Sequence, residues 1–329
     1  MSAARDRPPA DPSAADRLVV GAVVTAYRPG PQLATNVRDL AGQVAAVVVV
    51  DDGSGPDYDA RFADLESEGA RLIRLPENAG IGAALNAGVG ALTGDRSQPR
   101  PDAVLFLDQD STPGPGLVGS LSGALLAASA DSIPVAGSAP EFFGDTSQAR
   151  GRRGGRAIAP KPIQSGLLVL TGALTALGPF RDDYFIDLVD TEFAMRAQEA
   201  GFVFVVADGA RLPHALGRQV ALPSPRGALR GPSGDPLAFT VSAPFRYYYR
   251  ARNRVALNRE YRARRPLTTA RDTLLEARHY LIVWLAIRER RTFLALLRAG
   301  RRAGRARRMG RMPDAVASAA ARLTWRFPL

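Results

Sequence analysis

The chain lacks cysteine, and it contains only two histidines, His214 and His279, among 329 residues. The absence of cysteine excludes disulfides, thiolate metal sites and cysteine nucleophiles. Two histidines are also too few for a zinc centre built from several histidines. Lysine occurs only once, as Lys161, so arginine carries almost all of the formal charge of +11. A balance this basic favours polyanionic partners, such as phosphorylated ligands, nucleic acid or an anionic membrane.

Long hydrophobic runs and dinucleotide-binding motifs are missing as well. The apolar run from Tyr280 to Ile287 is much shorter than the roughly 20 residues that cross a bilayer. No Walker motif occurs, and Thr25-Ala26-Tyr27 stands where a nicotinamide-binding domain would have its first glycines. Residues 1–17 are polar and rich in proline and alanine, without the apolar core of a signal peptide. We expect them to be a disordered lead of a cytoplasmic protein.

The first half of the chain alternates apolar strands with helical segments. Strands are predicted at about 18–24, 44–50, 70–75 and 103–107, and helices at about 31–41, 58–69 and 81–92. Nearly continuous apolar strands separated by helices indicate a parallel sheet that is covered on both faces. Ligands of such sheets bind beyond the carboxyl ends of the strands. Polar side chains fall at those ends and are expected to surround a ligand: Tyr27, Asp51, Asp52, Asn78 and Asp108.

The triplet Asp108-Gln109-Asp110 follows the last of these strands. Two carboxylates two residues apart can hold a hard divalent cation, Mg²⁺ or Mn²⁺, and through it a diphosphate. Alone the triplet is weak evidence, because acidic residues are also common in turns after strands. Its meaning depends on the motifs that accompany it.

Those motifs occur in a fixed order along the chain. They are Val23–Tyr27, Val49–Ser54, Asn78-Ala79-Gly80 with Asn86, Asp108–Ser111, Gly172-Ala173, Phe185–Phe193, His214–Gly217 and Tyr248–Asn253. Together they resemble the family 2 glycosyltransferases, which have the GT-A nucleotide-sugar fold. Asp-Gln-Asp, Ile-Asp-x-Val-Asp and Tyr-Tyr-x-x-Arg-Asn point to the rhamnosyltransferase branch. The resemblance covers about residues 18–259.

The resemblance implies a sugar nucleotide donor and an inverting displacement at its anomeric carbon. Asp51 or Asp52 would bind the nucleobase or the ribose, and the alternative is an Asx turn that ends the strand. Asp110 would ligate Mg²⁺ or Mn²⁺, Asp108 would contact ribose or metal-bound water, and His214 would contact the metal or the diphosphate. The other nucleotide-sugar positions that the resemblance implies are Thr25, Tyr27, Asn78, Gly80, Asn86, Gly172, Glu192 and Arg252.

Asp190 is the predicted general base, which takes the proton from the acceptor hydroxyl as that oxygen attacks the sugar. In the family the preceding residue is often acidic, whereas this chain has Val189. Asp187 therefore stays an alternative base or a ligand of a sugar hydroxyl. Asp190 is also predicted to be the N-cap of a helix from Thr191 to Ala200.

Beyond residue 265 the sequence becomes helical and strongly basic. Leucines and aromatic residues recur with helical spacing up to Leu297, and the arginines of residues 301–311 follow without an acid among them. An amphipathic basic helix on anionic lipid would explain both features. Packing on the catalytic domain, with a solvated arginine tail, would explain them equally well.

The predicted fold is α/β of the GT-A type, with a mostly parallel sheet flanked by helices and a helical, basic C-terminal appendage. The predicted domains are the lead (1–17), a catalytic domain (18–265) whose nucleotide-binding half is about 18–112 and acceptor half about 113–265, and the appendage (266–329).

The predicted function is that of a metal-dependent, inverting glycosyltransferase. It would move rhamnose from dTDP-rhamnose to a cell-surface glycan or a lipid-linked acceptor, in the cytoplasm or peripherally on the inner face of the plasma membrane. One alternative is a UDP-hexose or UDP-galactofuranose donor. Another is a non-catalytic membrane- or nucleic-acid-binding protein on a degenerate scaffold. Nucleic acid is not an expected partner, because no recognised nucleic-acid motif accompanies the arginines.

Overall fold

The computed structural model describes residues 18–94, 99–214, 217–224 and 227–329. The predicted lead and Ala215-Leu216 of the histidine motif lie outside the described residues. The strands are β1 Val20–Ala26, β2 Ala46–Asp51, β3 Ala70–Arg74, β4 Ala103–Asp108, β5 Val135–Phe143, β6 Thr146–Ser147, β7 Arg152–Arg153, β8 Arg156–Ala157, β9 Leu167–Leu170, β10 Val203–Leu212, β11 Arg218–Ala221, β12 Pro223–Ser224, β13 Gly227–Ala228 and β14 Ala238–Val241. The α-helices are α1 Leu33–Ala41, α2 Asp59–Phe62, α3 Ile81–Gly94, α4 Leu117–Ala130, α5 Thr171–Leu177, α6 Val189–Glu199, α7 Arg246–Tyr261, α8 Pro266–Ala286, α9 Arg290–Arg305 and α10 Asp314–Ala321.

A mixed, mostly parallel sheet lies at the centre, in the order β10-β5-β9-β4-β1-β2-β3. Strands β4, β1, β2 and β3 are mutually parallel, and β10 is parallel to β5. Strand β9 runs antiparallel to both β4 and β5, and β6 pairs with β5. Helices cover both faces, so the predicted α/β fold class is confirmed.

Burial on both faces explains why the strands are apolar at almost every position. In β1, Val24 belongs to the core under α1 and α4, whereas Val23 belongs to the core under α3, α5 and α6. Gly88 lets α3 lie directly on the sheet, because a Cβ at this position would come within 2.4 Å of Val23. The sheet is thus a continuous apolar layer whose polar groups appear only where the strands end.

The helix predicted at about 58–69 is wrong in its extent. A 3₁₀ turn at Pro56–Tyr58 leads into α2, which ends at Phe62, and the following residues form turns. Only Phe62 and Leu65 of this segment are buried. Isolated short helices are marginal in water, and two buried side chains supply little tertiary packing to stabilise a longer one.

The C-terminal helices are packed on α7, and together they form a third apolar core. It joins Tyr247 and Tyr249 of α7 to Val283 of α8, Leu296 of α9 and Leu323 near the C-terminus. The helical character predicted for residues 266–329 is confirmed, whereas the domain boundary near residue 265 stays a prediction.

Helices α7 and α9 approach each other closely at two glycines. A Cβ on Gly300 would lie 2.4 Å from the carbonyl oxygen of Tyr248, and one on Gly304 would lie 2.6 Å from that of Arg252. In the described part of the chain no helix is both long and apolar enough to span a bilayer.

Candidate active site

A cavity of about 960 Å³ opens at the carboxyl ends of β1, β2 and β4. This volume is at the upper end of the range that is usual for small-molecule sites. The structure brings ten of the predicted site residues to its lining: Thr25, Tyr27, Asp52, Asn78, Gly80, Asp108, Asp110, Asp187, Asp190 and His214. The cavity therefore joins the strand ends of the first half to acidic residues that lie about 80 positions later.

Asp52 ties the turn after β3 to the end of β2. Its carboxylate accepts hydrogen bonds from the backbone N–H groups of Ala79, at 2.8 Å, and Gly80, at 3.0 Å. Burial raises the pKa of Asp52 to about 6, although both hydrogen bonds act in the opposite direction. Gly80 has a φ of +94°, and a Cβ there would come within 2.4 Å of the carbonyl oxygen of Phe185. Only glycine fits between Asp52 and the loop that carries Phe185.

The Asp-Gln-Asp triplet is held from both sides. The backbone N–H of Asp108 donates to the Ser165 hydroxyl at 3.0 Å, and the Thr25 hydroxyl donates to Asp108 Oδ1 at 3.4 Å. Burial, with the nearby carboxylate of Asp110, raises the pKa of Asp108 to about 7. The Asp110 side chain is 65 % exposed, and its Oδ1 lies 3.6 Å from Nδ1 of His214. Asp110 and His214 therefore face the same part of the cavity.

The loop opposite the sheet edge has a strained backbone. Phe185 adopts φ +65° and ψ −63°, and the N–H of Ile186 donates to the carbonyl of Tyr184 at 2.8 Å, which closes a γ-turn. Asp187 and Leu188 also have positive φ, at +67° and +63°. Non-glycine residues in this region cost on the order of 1–3 kcal/mol each and persist where the surroundings hold them. Such strain is concentrated at functional sites.

Two buried side chains of α7 hold this loop in place. Asn253 Nδ2 donates to the carbonyl oxygens of Tyr184, Ile186 and Asp187 at 2.8–3.0 Å. Arg252 donates to the Tyr184 carbonyl at 2.7 Å and also to that of Gly310. The predicted contact of Arg252 with the diphosphate therefore does not fit its position, because its guanidinium is fully buried beneath the loop.

Asp187 and Asp190 have different partners. Asp187 accepts three hydrogen bonds from the Arg246 guanidinium, the shortest of them at 2.7 Å. Asp190 Oδ1 accepts the backbone N–H of Thr191 at 2.6 Å, while its second oxygen has no hydrogen-bond partner among the described residues. Burial, together with the charge of Asp187, raises the pKa of Asp190. A carboxylate with a free oxygen and a raised pKa is suited to accept a proton.

The predicted N-cap role of Asp190 is wrong. Helix α6 begins at Val189, so Asp190 lies in its first turn and Leu188 occupies the N-cap position without a side-chain cap. The positive φ of Leu188 turns the chain into the helix at this point, and the carboxylate is thereby left to face the cavity.

Five predicted site residues do not line the cavity: Asp51, Asn86, Gly172, Glu192 and Arg252. Asp51 accepts the Ser54 N–H at 2.9 Å, which closes the turn after β2, and it pairs with Arg74. Glu192 is buried against Arg196 and the Tyr261 hydroxyl.

Asn86 and Gly172 also have structural roles outside the cavity. Asn86 bridges the backbone N–H and carbonyl of Phe180, each at 2.9 Å. Gly172 lies within α5.

Several cavity residues were missed by the sequence reasoning. Arg246 lies two residues before the motif Tyr248–Asn253, and that proximity was the available signal. Arg250 pairs with Glu276 of α8 at 2.7 Å, and both line the cavity. Phe245 and a stacked pair of rings, Phe185 and Tyr249, form an aromatic patch.

The C-terminal residues that were missed form a mostly apolar wall, which we call the C-terminal wall: Arg311, Met312, Ala317, Ala320, Ala321 and Leu323. No local pattern marks these residues as part of a site, because their place depends on how α10 packs. The cavity thus has a polar end at the sheet edge and a less polar end under the C-terminus.

The side chains present fit a magnesium-type site. Such cations are usually bound through one or two carboxylates, while water and substrate phosphates supply the other ligands. Asp108 and Asp110 offer carboxylates of this kind at the cavity surface, and His214 lies 3.6 Å from Asp110. Within the described residues no group of three or more acidic or histidine side chains is arranged to hold a metal ion by itself.

The chain is similar to known glycosyltransferases in two comparisons. The sequence model of glycosyl transferase family 2 matches residues 22–176, which include β1 to β4 and the Asp-Gln-Asp triplet. A dTDP-rhamnosyl transferase of Shigella flexneri, RfbF, is 25 % identical over 257 residues, 73 % of this chain and 79 % of that protein. The chain therefore carries a family 2 glycosyltransferase region at residues 22–176. The predicted enzyme class is therefore confirmed, and the similarity to a rhamnosyltransferase agrees with the predicted branch.

Two solved structures resemble this glycosyltransferase over a smaller part of the chain than RfbF does. GalNAc-T7 with UDP, GalNAc and Mn²⁺ has a TM-score of 0.46 at 14 % identity, over 60 % of this chain and 44 % of that one. Glucosyl-3-phosphoglycerate synthase from Mycobacterium tuberculosis with Mg²⁺ and UDP has a TM-score of 0.41 at 19 % identity, over 64 % and 77 %. Scores this low have no bearing on the substrate of this enzyme.

Proposed function

We propose that this glycosyltransferase transfers rhamnose from dTDP-rhamnose, with inversion at the anomeric carbon, to a cell-surface glycan or a lipid-linked acceptor. The observation that carries the proposal is the single cavity that joins Asp52, Asp108 and Asp110 at the sheet edge to Asp190 on the facing loop. The dTDP-rhamnosyl transferase that this chain resembles supports rhamnose as the sugar.

The donor would bind at the sheet edge, where ligands of parallel α/β sheets are found. Tyr27 and Asn78 line this end of the cavity, and Asn78 Oδ1 is buried without a hydrogen-bond partner in the described structure. A buried acceptor of this kind is costly unless a ligand donates to it. Asp110, Asp108 and His214 would hold Mg²⁺ or Mn²⁺, and the cation would neutralise charge on the diphosphate.

Asp190 would act as the general base towards the acceptor hydroxyl. Asp187 is the weaker candidate, because its carboxylate is engaged by the Arg246 guanidinium. Its two oxygens already accept three hydrogen bonds from that guanidinium, so they are less available to an acceptor hydroxyl. Asp187 would instead keep Arg246 directed into the cavity.

The acceptor would lie towards the C-terminal wall. Phe245 and Tyr249 face this end together with apolar side chains such as Met312 and Leu323. Aromatic and aliphatic surfaces match the apolar faces of sugar rings or the hydrocarbon of a lipid carrier. This wall supports a lipid-linked acceptor, which would place the enzyme peripherally on a membrane.

A donor screen tests the sugar assignment. Purified enzyme is incubated with dTDP-rhamnose, UDP-hexoses and UDP-galactofuranose, with and without manganese, and hydrolysis of the donor is measured. We expect the fastest release of nucleotide from dTDP-rhamnose, and only with the metal. Faster turnover of a UDP-sugar would reject rhamnose and leave the enzyme class untouched.

The metal assignment predicts the behaviour of Asp110→Ala. Manganese-dependent nucleotide binding should be lost and transfer should fall by at least about 100-fold, since a Lewis acid supplies several kcal/mol. Asp131→Ala is the matched control, because it removes an exposed carboxylate whose one ion-pair partner among the described residues is Arg156. Unchanged manganese-dependent binding in Asp110→Ala would overturn the assignment.

A further inference from the structure

Helix α8 carries a row of exposed leucines. Leu267, Leu274 and Leu281 are 85 %, 70 % and 56 % exposed, and Leu285 continues the row at 38 %. The first three are seven residues apart, close to two turns of helix, so they lie along one face. At a rise of 1.5 Å per residue the row is about 27 Å long. Single exposed leucines are ordinary, but such a row on one helix marks an interaction surface.

The charges of α8 are sorted between its two faces. Asp272 and Glu276, its two acidic residues, are each 8 % exposed and pair with Lys161 and Arg250 on the inner side. Arg271 and Arg278 are exposed, and neither forms an ion pair within the described structure. The outer face of α8 therefore presents leucine and arginine but no negative charge, and we call it the leucine–arginine face.

The sequence also offers the apolar side chains from Tyr280 to Leu297 for lipid contact, and Leu281 and Leu285 of the row lie in that segment. The large apolar side chains there are largely occupied within the protein, because Tyr280, Phe293, Leu296 and Leu297 belong to the core beneath α7. These four side chains are not free to enter a membrane. The residues available to lipid are those that point away from this core.

We infer that the leucine–arginine face docks on an anionic lipid surface. Leucines would enter the boundary between headgroups and acyl chains, and arginines would reach the lipid phosphates with their stems along the apolar surface. A second copy of the chain fits less well, because pairing two such faces brings arginines near arginines. This inference rests on the acceptor side of the proposed function.

The position of α8 gives this docking a consequence for catalysis. Glu276, on the inner side of the helix, lines the catalytic cavity. A helix with its side chains is about 10 Å across, so docking would keep the cavity about one helix diameter from the lipid. A lipid-linked acceptor could then reach the C-terminal wall without leaving the membrane.

Vesicle flotation of the full-length protein tests the inference. The vesicles contain equal parts of phosphatidylglycerol and phosphatidylcholine, or phosphatidylcholine alone, at low and high salt. The triple variant Leu267→Ser, Leu274→Ser, Leu281→Ser should lower the partition coefficient by about tenfold or more at both salt concentrations. Arg271→Gln with Arg278→Gln should weaken binding only to the anionic vesicles at low salt.

Two further variants serve as controls. Leu229→Ser with Leu237→Ser changes leucines that are each 42 % exposed and lie outside α8, and it should bind like the wild type. Arg298→Gln with Arg301→Gln changes exposed arginines of α9 and should have a smaller effect than the α8 pair.

Three results would overturn the inference. They are flotation of the triple variant like the wild type, a larger loss from the α9 arginines, and a wild-type dimer that the triple variant dissociates without any vesicle binding. Hydrolysis of the donor in solution is measured on every variant. Unchanged hydrolysis with unchanged flotation would reject the docking face alone, whereas absent hydrolysis in the wild type would reject the proposed donor.

Discussion

The wall of the cavity at the sheet edge and the loop that faces it are built from different contacts. At the sheet edge, backbone ladders fix the strand ends, and backbone N–H groups bind the carboxylate of Asp52. On the facing side, Phe185, Asp187 and Leu188 hold positive φ angles, and Asn253 binds the carbonyls between them.

The sheet edge is held rigid by the backbone hydrogen bonds of the sheet, whereas the facing loop is held rigid by a few side chains. A parallel ladder is repeated over many residues, so the loss of one side chain leaves the strand ends in place. The strained loop has no such repetition, and its geometry depends on Arg252 and Asn253. Substitutions should therefore have different consequences on the two walls.

The largest effect is expected from Asp190→Asn on the facing wall. Asparagine keeps the size of the side chain but cannot accept the proton, so kcat should fall by about 10²–10⁴-fold while donor binding persists. Asp187→Asn is the matched comparison. We expect it to hold Arg246 less firmly and to lower kcat by a smaller factor than Asp190→Asn does. Full activity of Asp190→Asn, with a crippled Asp187→Asn, would exchange the two roles.

The pH profile sharpens the same assignment. A base must be deprotonated, and the pKa of Asp190 is raised by burial and by Asp187. Activity of the wild type should thus fall as the pH decreases through a value above the usual range of aspartate. In Asp190→Asn the part of this acidic limb that Asp190 causes should be absent, and the remaining limb should come from the other carboxylates with raised pKa values, Asp52 and Asp108.

A smaller effect is expected from Asn253→Ala, which removes the donor to three loop carbonyls. Turnover should fall by about 10- to 100-fold, because a displacement of about 1 Å at a reacting group has this scale. The free energy of unfolding should fall by roughly 3 kcal/mol, since the carbonyls of Ile186 and Asp187 lose their donor while that of Tyr184 keeps Arg252. Stopped-time assays and urea denaturation measure the two quantities.

Asn86→Ala is the control for this prediction. Asn86 also binds backbone groups, those of Phe180, but it lies outside the cavity. The Asn86→Ala variant should have a lower free energy of unfolding and an unchanged kcat. An equal loss of turnover in both variants would mean that global stability, rather than the position of the loop, controls activity.

The smallest effect is expected from Ala321→Trp on the C-terminal wall. Ala321 lines the cavity and is exposed, so the added ring would occupy the acceptor end without disturbing the core. We expect the KM for the acceptor to rise several-fold while hydrolysis of the donor stays unchanged. Ala315→Trp, an exposed position of α10 outside the lining, is the control. A changed rate of hydrolysis in Ala321→Trp would place the donor at this wall.

The sheet-edge half of the site could be predicted because its information is local. Thr25, Asp52 and Asp108 lie at or next to the ends of apolar strands, and the geometry of a parallel sheet brings all such ends to one edge. The same local reasoning assigned Asp51 to a binding role, although its carboxylate is used by Ser54 and Arg74. Sequence position gives the edge, but it does not give the direction in which each side chain points.

The facing half depended on contacts between distant segments. Arg252 matches a family motif, yet packing buries it beneath the loop, where it binds carbonyls instead of a ligand. Arg246 enters the cavity because the start of α7 meets the Asp187 loop.

The sequence by itself determined the α/β sheet, the family and the acidic edge of the site, because strand hydrophobicity and short ordered motifs are local properties. Only the tertiary structure decided that residues 312–323 line one end of the cavity and that the row of leucines on α8 stays exposed on the surface. Helical periodicity marks the apolar positions of a helix, but which of them are buried depends on the neighbours that the fold supplies.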